Sequence, residues 1–245
     1  MPRYGRPSTL SYSFGPGPMT PAVKAIICAN VALFLVSLVY RDLIGYLGLI
    51  PEAVFGSLWL WQPATYMFLH DPTGPLHILF NMLGIWMFGV TLERVWGTQF
   101  FARYYAITGI GAGLTVLLVS LLPFDVTRST YDAVTIGASG ALYGLLMAFA
   151  MKYPDQPILL IVFPVPAKYF VMILGAMALL FAPGGRVSNA AHLGGLIFGY
   201  FYLKSRGGGL TAEIKYRYIK WKMNRLRKKF DVYSGGRKDY DRNVH

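Results

Sequence analysis

The sequence predicts an all-α membrane protein: a six-transmembrane-helix bundle with an interfacial first loop and a basic, amphipathic C-terminal tail. Three observations carry this expectation. Apolar residues make up 55 % and charged residues only 14 % of the 245 residues, too greasy a composition for an ordinary water-soluble domain. Several apolar runs approach or exceed the roughly 18 residues that cross a bilayer as helix. The positive charge gathers at one end: of the net +12, the 13 Lys and Arg and 4 Asp and Glu from Lys204 onward supply +9.

Residues 1–21 carry Arg3 and Arg6 among prolines and glycines without apolar periodicity, and read as a disordered arm. They do not read as a secretory signal, because the apolar stretch comes late, is too long and lacks a cleavage pattern; an organellar transit peptide is the minor alternative. The membrane domain is expected over 22–205 and the basic tail over 206–245. Span one runs from about Ala22 to Val39 and includes Cys28, expected to be a small buried filler. As the single cysteine it excludes a disulfide framework or a thiolate metal cluster.

The segment from Tyr40 to Pro75 is too broken for a span and too apolar for a free loop. It is expected in the interface, with Trp59, Trp61 and Tyr66 in the aromatic belt. Span two is Leu76 to about Thr91, and Glu93, Arg94 and Gly97 mark a polar turn. Span three, about Phe101 to Leu122, contains Gly109, Gly111 and Gly113, which permit close helix approach. A polar loop from Asp125 to Thr135 leads to span four, about Gly137 to Met151. Pro157, Pro164 and Pro166 then forbid a continuous helix, so span five starts only near Ala167 and ends at Ala182. Span six is about Ala190 to Leu203.

An even number of spans puts both termini on one side, which also collects Lys24, Arg94, Arg103, Lys152 and Lys168. The opposite loops hold only Arg41, Arg128 and Arg186, so both ends are expected in the cytoplasm. In the tail, Ile219, Met223, Leu226 and Phe230 follow helical spacing amid lysines and arginines, the pattern of an amphipathic helix on anionic lipid; a solvated tail is the alternative. Nucleic acid is not expected as a partner, since no folded presenting surface accompanies the charge.

Topology then brings polar residues together. Spans two, four and six enter from the extracytoplasmic side, and near their starts they carry His77 and Asn81, Ser139, and His192. At ~1.5 Å of rise per residue each lies roughly 3 to 10 Å below its helix start. Intramembrane polar groups normally face a bundle interior, so a shared cavity is the economical explanation. His77 and Asn81 are i,i+4, as are Ser139 and Tyr143. Gly140 and Gly144, facing Ala191, Gly195 and Gly199, allow backbones to close until a hydroxyl and an imidazole can hydrogen-bond, which turns a weak alcohol into a nucleophile. Against this stands the bland reading: a membrane histidine is more often an interhelical tether, and such bonds are worth about 0.6 kcal/mol each. Four groups at one depth on three helices favour catalysis. A channel or transporter is the rival class, disfavoured by missing repeats and the lack of an acidic ion ligand.

Gly137-Ala138-Ser139-Gly140 with Tyr143, His77-Ile78-Leu79-Phe80-Asn81, and Ala191-His192-Leu193-Gly194-Gly195 resemble the three signatures of the rhomboid family of intramembrane serine proteases, in the family's order. The likeness covers roughly residues 20–205. Thr65-Tyr66-Met67-Phe68-Leu69-His70 resembles the family's first-loop ending. One departure is Gln62, where many members place an arginine after the tryptophan, leaving the polar latch of that arginine in question. Inactive relatives lose the serine or the last-span histidine; this chain retains both.

The resemblance implies a Ser139–His192 dyad without a carboxylate, His192 being oriented by packing on Tyr143, with Gly137 and Gly140 supporting the nucleophile. The oxyanion hole would be the Ser139 backbone N–H with the His77 and Asn81 side chains. No metal or cofactor is implied. The implied substrate is a transmembrane segment of a single-pass protein, cut near its extracytoplasmic end and entering beside span five. The expected location is a bacterial plasma membrane. A client-binding homologue without activity is the second rival.

Overall fold

The structure is a computed structural model that describes residues 15–123, 130–160, 163–180, 188–206, 219–223 and 225. Proline sits in the first turn of α1 (Pro21–Val39), α3 (Pro51–Ser57), α4 (Gln62–Thr65) and the helix beginning at Pro75. Its fixed φ and missing N–H suit that position, where the donor would have no helical partner. α2 (Asp42–Leu47) lies between α1 and α3, and a 3₁₀ turn, Tyr66–Phe68, follows α4. The long helices are α5 (Pro75–Trp96), whose Ile85–Gly89 stretch is π-helical, and α6 (Thr98–Ser120). α7 (Ser139–Lys152), a hairpin of β1 (Pro157–Leu160) and β2 (Phe163–Pro166), α8 (Ala167–Leu180) and α9 (Ser188–Arg206) complete the order.

Among the described residues, α1, α5 and α6 are long and apolar enough to cross a membrane; α8 is apolar but shorter. α6 is the central helix and packs most extensively on α7. Its own Phe101, Tyr104 and Tyr105 are fully buried, and Tyr66 of the first loop is buried with them. A smaller cluster joins Leu146, Phe149, Ile158, Val171 and Leu196.

Several expectations change. Glu93 and Arg94 are not in a surface turn, because α5 continues to Trp96 and the chain reverses at Gly97, whose φ of 77° favours glycine. Glu93 is instead buried, its carboxylate accepting from the Ala22 and Val23 N–H groups at 2.9 and 3.0 Å and from the hydroxyls of Thr20 and Thr98 at 2.5 and 2.8 Å. It satisfies the free donors at the start of α1, which has no acidic residue in its own first turn. Cys28 is exposed rather than buried, since α1 buries only the stripe Ala22, Val23, Asn30 and Ser37. The expected arm departs from disorder over 15–20: Trp86 Nε1 donates to the Gly17 carbonyl at 3.1 Å, and the Arg94 guanidinium donates to the carbonyls of Pro16 and Pro18. Residues 1–14 lie outside the described set.

The first loop is tied to the approach to α7. Leu49 and Thr135 exchange backbone bonds at 2.9 and 2.8 Å, and the Glu52 N–H donates to the Tyr131 carbonyl. Residues 125–129 of the polar loop and the end of span five beyond Leu180 lie outside the described residues. The proline-broken stretch forms an antiparallel hairpin, with Pro157 opposite Pro166 and Leu160 opposite Phe163.

Residues 1–203 make one compact unit and 204–245 a second. In the second, residues 219–223 are helical, Ile219, Trp221 and Met223 are exposed, and the Arg225 guanidinium lies 5.4 Å from the Trp221 ring centroid. Leu226 and Phe230 lie outside the described residues.

Candidate active site

Gly137 begins the site. Its φ is 123°, and a Cβ there would meet the His77 ring at 3.0 Å, so both backbone and space require glycine. Its N–H donates to the Tyr66 carbonyl at 3.1 Å, which pins the loop just before α7 opens at Ser139. The Ser139 N–H is among the first-turn donors that an α-helix leaves without an internal acceptor. Gly137 thus precedes the helix, although it was expected within span four.

Ser139 and His192 meet because α7 and α9 have almost no space between them. A Cβ on Gly195 would lie 1.9 Å from the Gly140 carbonyl oxygen, and one on Gly199 would lie 3.2 Å from Gly144 Cα. At that separation His192 Nε2 and Ser139 Oγ are 2.8 Å apart. In the neutral tautomer protonated on Nδ1, the hydroxyl donates and Nε2 accepts. The Tyr143 ring stacks on the imidazole, 4.0 Å between centroids and 4° from parallel, which fixes the plane in which Nε2 faces the hydroxyl. Ser139 and His192 are both half-buried.

His77 flanks the same space, as its contact with the Gly137 position establishes. Asn81, one turn along α5, is buried, and its Nδ2 donates to the His77 carbonyl at 2.9 Å. Its Oδ1 is buried without a hydrogen-bond partner among the described residues. Ser139, His192, Tyr143, Gly137, Gly140 and His77 therefore come together, while Asn81 is engaged with its own helix at the edge of the group.

Sequence reasoning missed three supports. Tyr66 is not in an aromatic belt: its ring is buried and its hydroxyl donates to the Gly109 carbonyl at 2.8 Å, because the glycines of α6 leave room for the ring. Burial raises its phenol above the ordinary range. Half-buried Trp59 and Trp61 cluster with the exposed Tyr46, their centroids 5.1 to 5.6 Å apart. His70 is fully buried and sits edge-on to His77 at 5.1 Å; burial first, and the neighbouring His77 second, push its pKa down to about 3. Gln62 answers the question of the missing arginine. Its buried side chain accepts from the Ile50 N–H at 2.9 Å and donates to the carbonyls of Gly45 and Tyr46 at 3.3 and 3.4 Å, a neutral latch within the first loop. The pairing of each, far along the chain, left no local signal beyond its polarity.

Comparison with known proteins fits this geometry. A family profile described as the rhomboid domain matches residues 57–206. The chain is 36 % identical over 130 residues to Rhomboid protein 1, mitochondrial, of Saccharomyces cerevisiae, covering 51 % of this chain and 36 % of the relative. It is 26 % identical over 193 residues to Rhomboid-like protein 14, mitochondrial, of Arabidopsis thaliana, covering 76 % and 56 %. Rhomboid protease GluP of Bacillus subtilis is 28 % identical over 148 residues, covering 60 % and 26 %. The chain thus spans between 26 % and 56 % of the length of these relatives.

Proposed function

The chain belongs to the rhomboid family, and from that premise we propose that it is an intramembrane serine endopeptidase that cuts transmembrane segments of single-pass proteins near their extracytoplasmic end. The observation that carries the reading is the 2.8 Å contact of Ser139 Oγ with His192 Nε2, with Tyr143 stacked behind the imidazole. That arrangement is an activated nucleophile whose base is held in register by packing instead of by a third, acidic residue.

The reaction follows from the geometry. Ser139 Oγ attacks the scissile carbonyl as its proton passes to His192 Nε2. The resulting imidazolium gives that proton to the leaving amine, freeing the C-terminal fragment and leaving an acyl ester on Ser139. Water then attacks the ester with His192 again as base, and the proton returns to Ser139 as the acid product leaves. Charge on the carbonyl oxygen is met by the Ser139 N–H and by the side chains of His77 and Asn81. A helical peptide bond is hydrogen-bonded and shielded, so the substrate unwinds locally before attack. The short, apolar α8 is the mobile side through which a segment enters.

An integral membrane protein with a rhomboid domain is the setting. Six spans, both termini in the cytoplasm and a bacterial plasma membrane are the topology we favour, supported by the charge distribution. The exposed Lys220, Trp221, Lys222 and Arg225 suit the tail to an anionic leaflet. The test is labelling with a serine-directed phosphonate together with cleavage of a model transmembrane substrate in proteoliposomes. Wild type should do both, and Ser139→Ala and His192→Ala, each still folded, should do neither. Cleavage at wild-type rate by either variant overturns the mechanism.

A further inference from the structure

The hairpin between α7 and α8 is the part of the fold that the chemistry does not use. It is flanked by a matched pair: Lys152 and Tyr153 at the end of α7, Lys168 and Tyr169 at the start of α8, with each ammonium 5.8 and 5.1 Å from its neighbouring ring centroid. Lys168 closes the base on Asp155 at 2.7 Å, and the Ala167 and Lys168 N–H groups donate to the carbonyls of Gln156 and Pro154. From Pro157 to Ala167 the sequence contains no charged or polar side chain. Phe163 is 71 % exposed, yet Ile158 is buried in the cluster with Phe149 and Val171. One part of the hairpin therefore lies on the bundle and another lies open.

Two surroundings can be weighed for the open part. In water, a two-stranded apolar ribbon whose outer edges pair with no other strand among the described residues is a template for aggregation, and no charge within it protects it. In the hydrocarbon core, edge N–H and C=O groups would each lack the partner that water supplies. The headgroup–acyl boundary satisfies both, taking apolar side chains on one side and leaving backbone groups near water. Proline fits the same place: Pro157, Pro164 and Pro166 remove backbone donors from the strands. The Lys and Tyr pairs at the base are the residues that mark a membrane–water boundary, where the ring is half in lipid and the ammonium reaches to phosphate. Finally, the open part continues a lipid-facing surface. α8 buries the stripe Ala167, Val171 and Ala178 and leaves Tyr169, Met172, Met177 and Leu179 at least half exposed.

We infer that this hairpin is a membrane-interface anchor, with Phe163 inserted at the headgroup–acyl boundary of the leaflet where α7 ends and α8 begins, the cytoplasmic leaflet in the topology favoured above. The inference rests on that span assignment and not on the catalytic reading. Its partner is the protein's own bilayer, and it holds the base of α8 while the rest of that helix remains free to move.

The test uses the full chain with Cys28, its only cysteine, changed to Ser. A nitroxide is attached at Phe163→Cys, or at Met172→Cys as a lipid-facing reference, in proteoliposomes of phosphatidylethanolamine and phosphatidylglycerol. Collision with oxygen, which concentrates in lipid, is compared with collision with a water-soluble nickel chelate. Oxygen should dominate at both positions by several-fold, with position 163 the shallower. Dominance of the nickel chelate at position 163 overturns the anchor, whatever position 172 reads. Phosphonate labelling of the same samples reports separately on the catalytic reading.

Discussion

Asn81 donates one amide hydrogen to the His77 carbonyl at 2.9 Å, and an amide nitrogen carries two. In the proposed mechanism the second donates to the oxyanion, while the first ties Asn81 to His77, the other side-chain donor of that proposal. His77→Ala and Asn81→Ala should therefore each lower kcat more than they raise KM, by about 10- to 1000-fold, the range for one oxyanion donor. Phosphonate labelling should persist at a reduced rate, since Ser139 and His192 are untouched. Wild-type turnover in both variants would make them interhelical tethers only. His70 governs a different quantity. Folded, it stays neutral down to pH about 3, whereas the unfolded imidazole takes up a proton below about 6.5. Its contribution is thus complete above pH 6.5 and is lost as pH falls toward 3, by up to about 5 kcal/mol. Thermal stability measured against pH in detergent should fall less steeply below pH 6.5 in His70→Phe than in wild type, and an identical slope would refute the assignment.

At the scale of elements, the site depends on α7 and α9 touching backbone to backbone. Gly195→Ala puts a methyl 1.9 Å from a carbonyl oxygen that belongs to a helix and cannot rotate away. The helices must part, so stability should drop by about 1–3 kcal/mol, the usual range for overpacking, and turnover should fall by at least ~10-fold as the Ser139–His192 contact lengthens. Gly175→Ala on α8 is the control, because a Cβ there meets only Leu196 at 3.4 Å. Equal behaviour of the two variants, read by melting temperature and turnover, would mean the close approach is not what sets the site. This contact was legible in the sequence, since small residues every fourth position on two helices state their own proximity. So were Ser139, His77 and His192, whose polarity is hard to place in an apolar span. The hairpin was not: Pro157, Pro164 and Pro166 exclude helix, but exclusion does not say which strands pair. Tyr66, Glu93 and Gln62 were missed for one reason. A polar residue near a span end reads as surface, and only partners 12 to 73 residues away make it buried.

For the whole molecule, the catalytic group and the basic tail belong to separate compact units. Deleting the residues after Gly209 should leave the turnover of purified protein in detergent nearly unchanged while weakening its association with anionic lipid. Loss of turnover on truncation would show that the tail supports the membrane domain. Within the first unit, α1 has few buried residues, and its first turn is capped by a distant anion. Its opening amide groups find their acceptor in Glu93, at the far end of the next long helix. Thr98 at the start of α6 donates to the same carboxylate. One carboxylate thus clasps three segments at once, the entry to α1, the last turn of α5 and the first residue of α6, so their ends are held in common register.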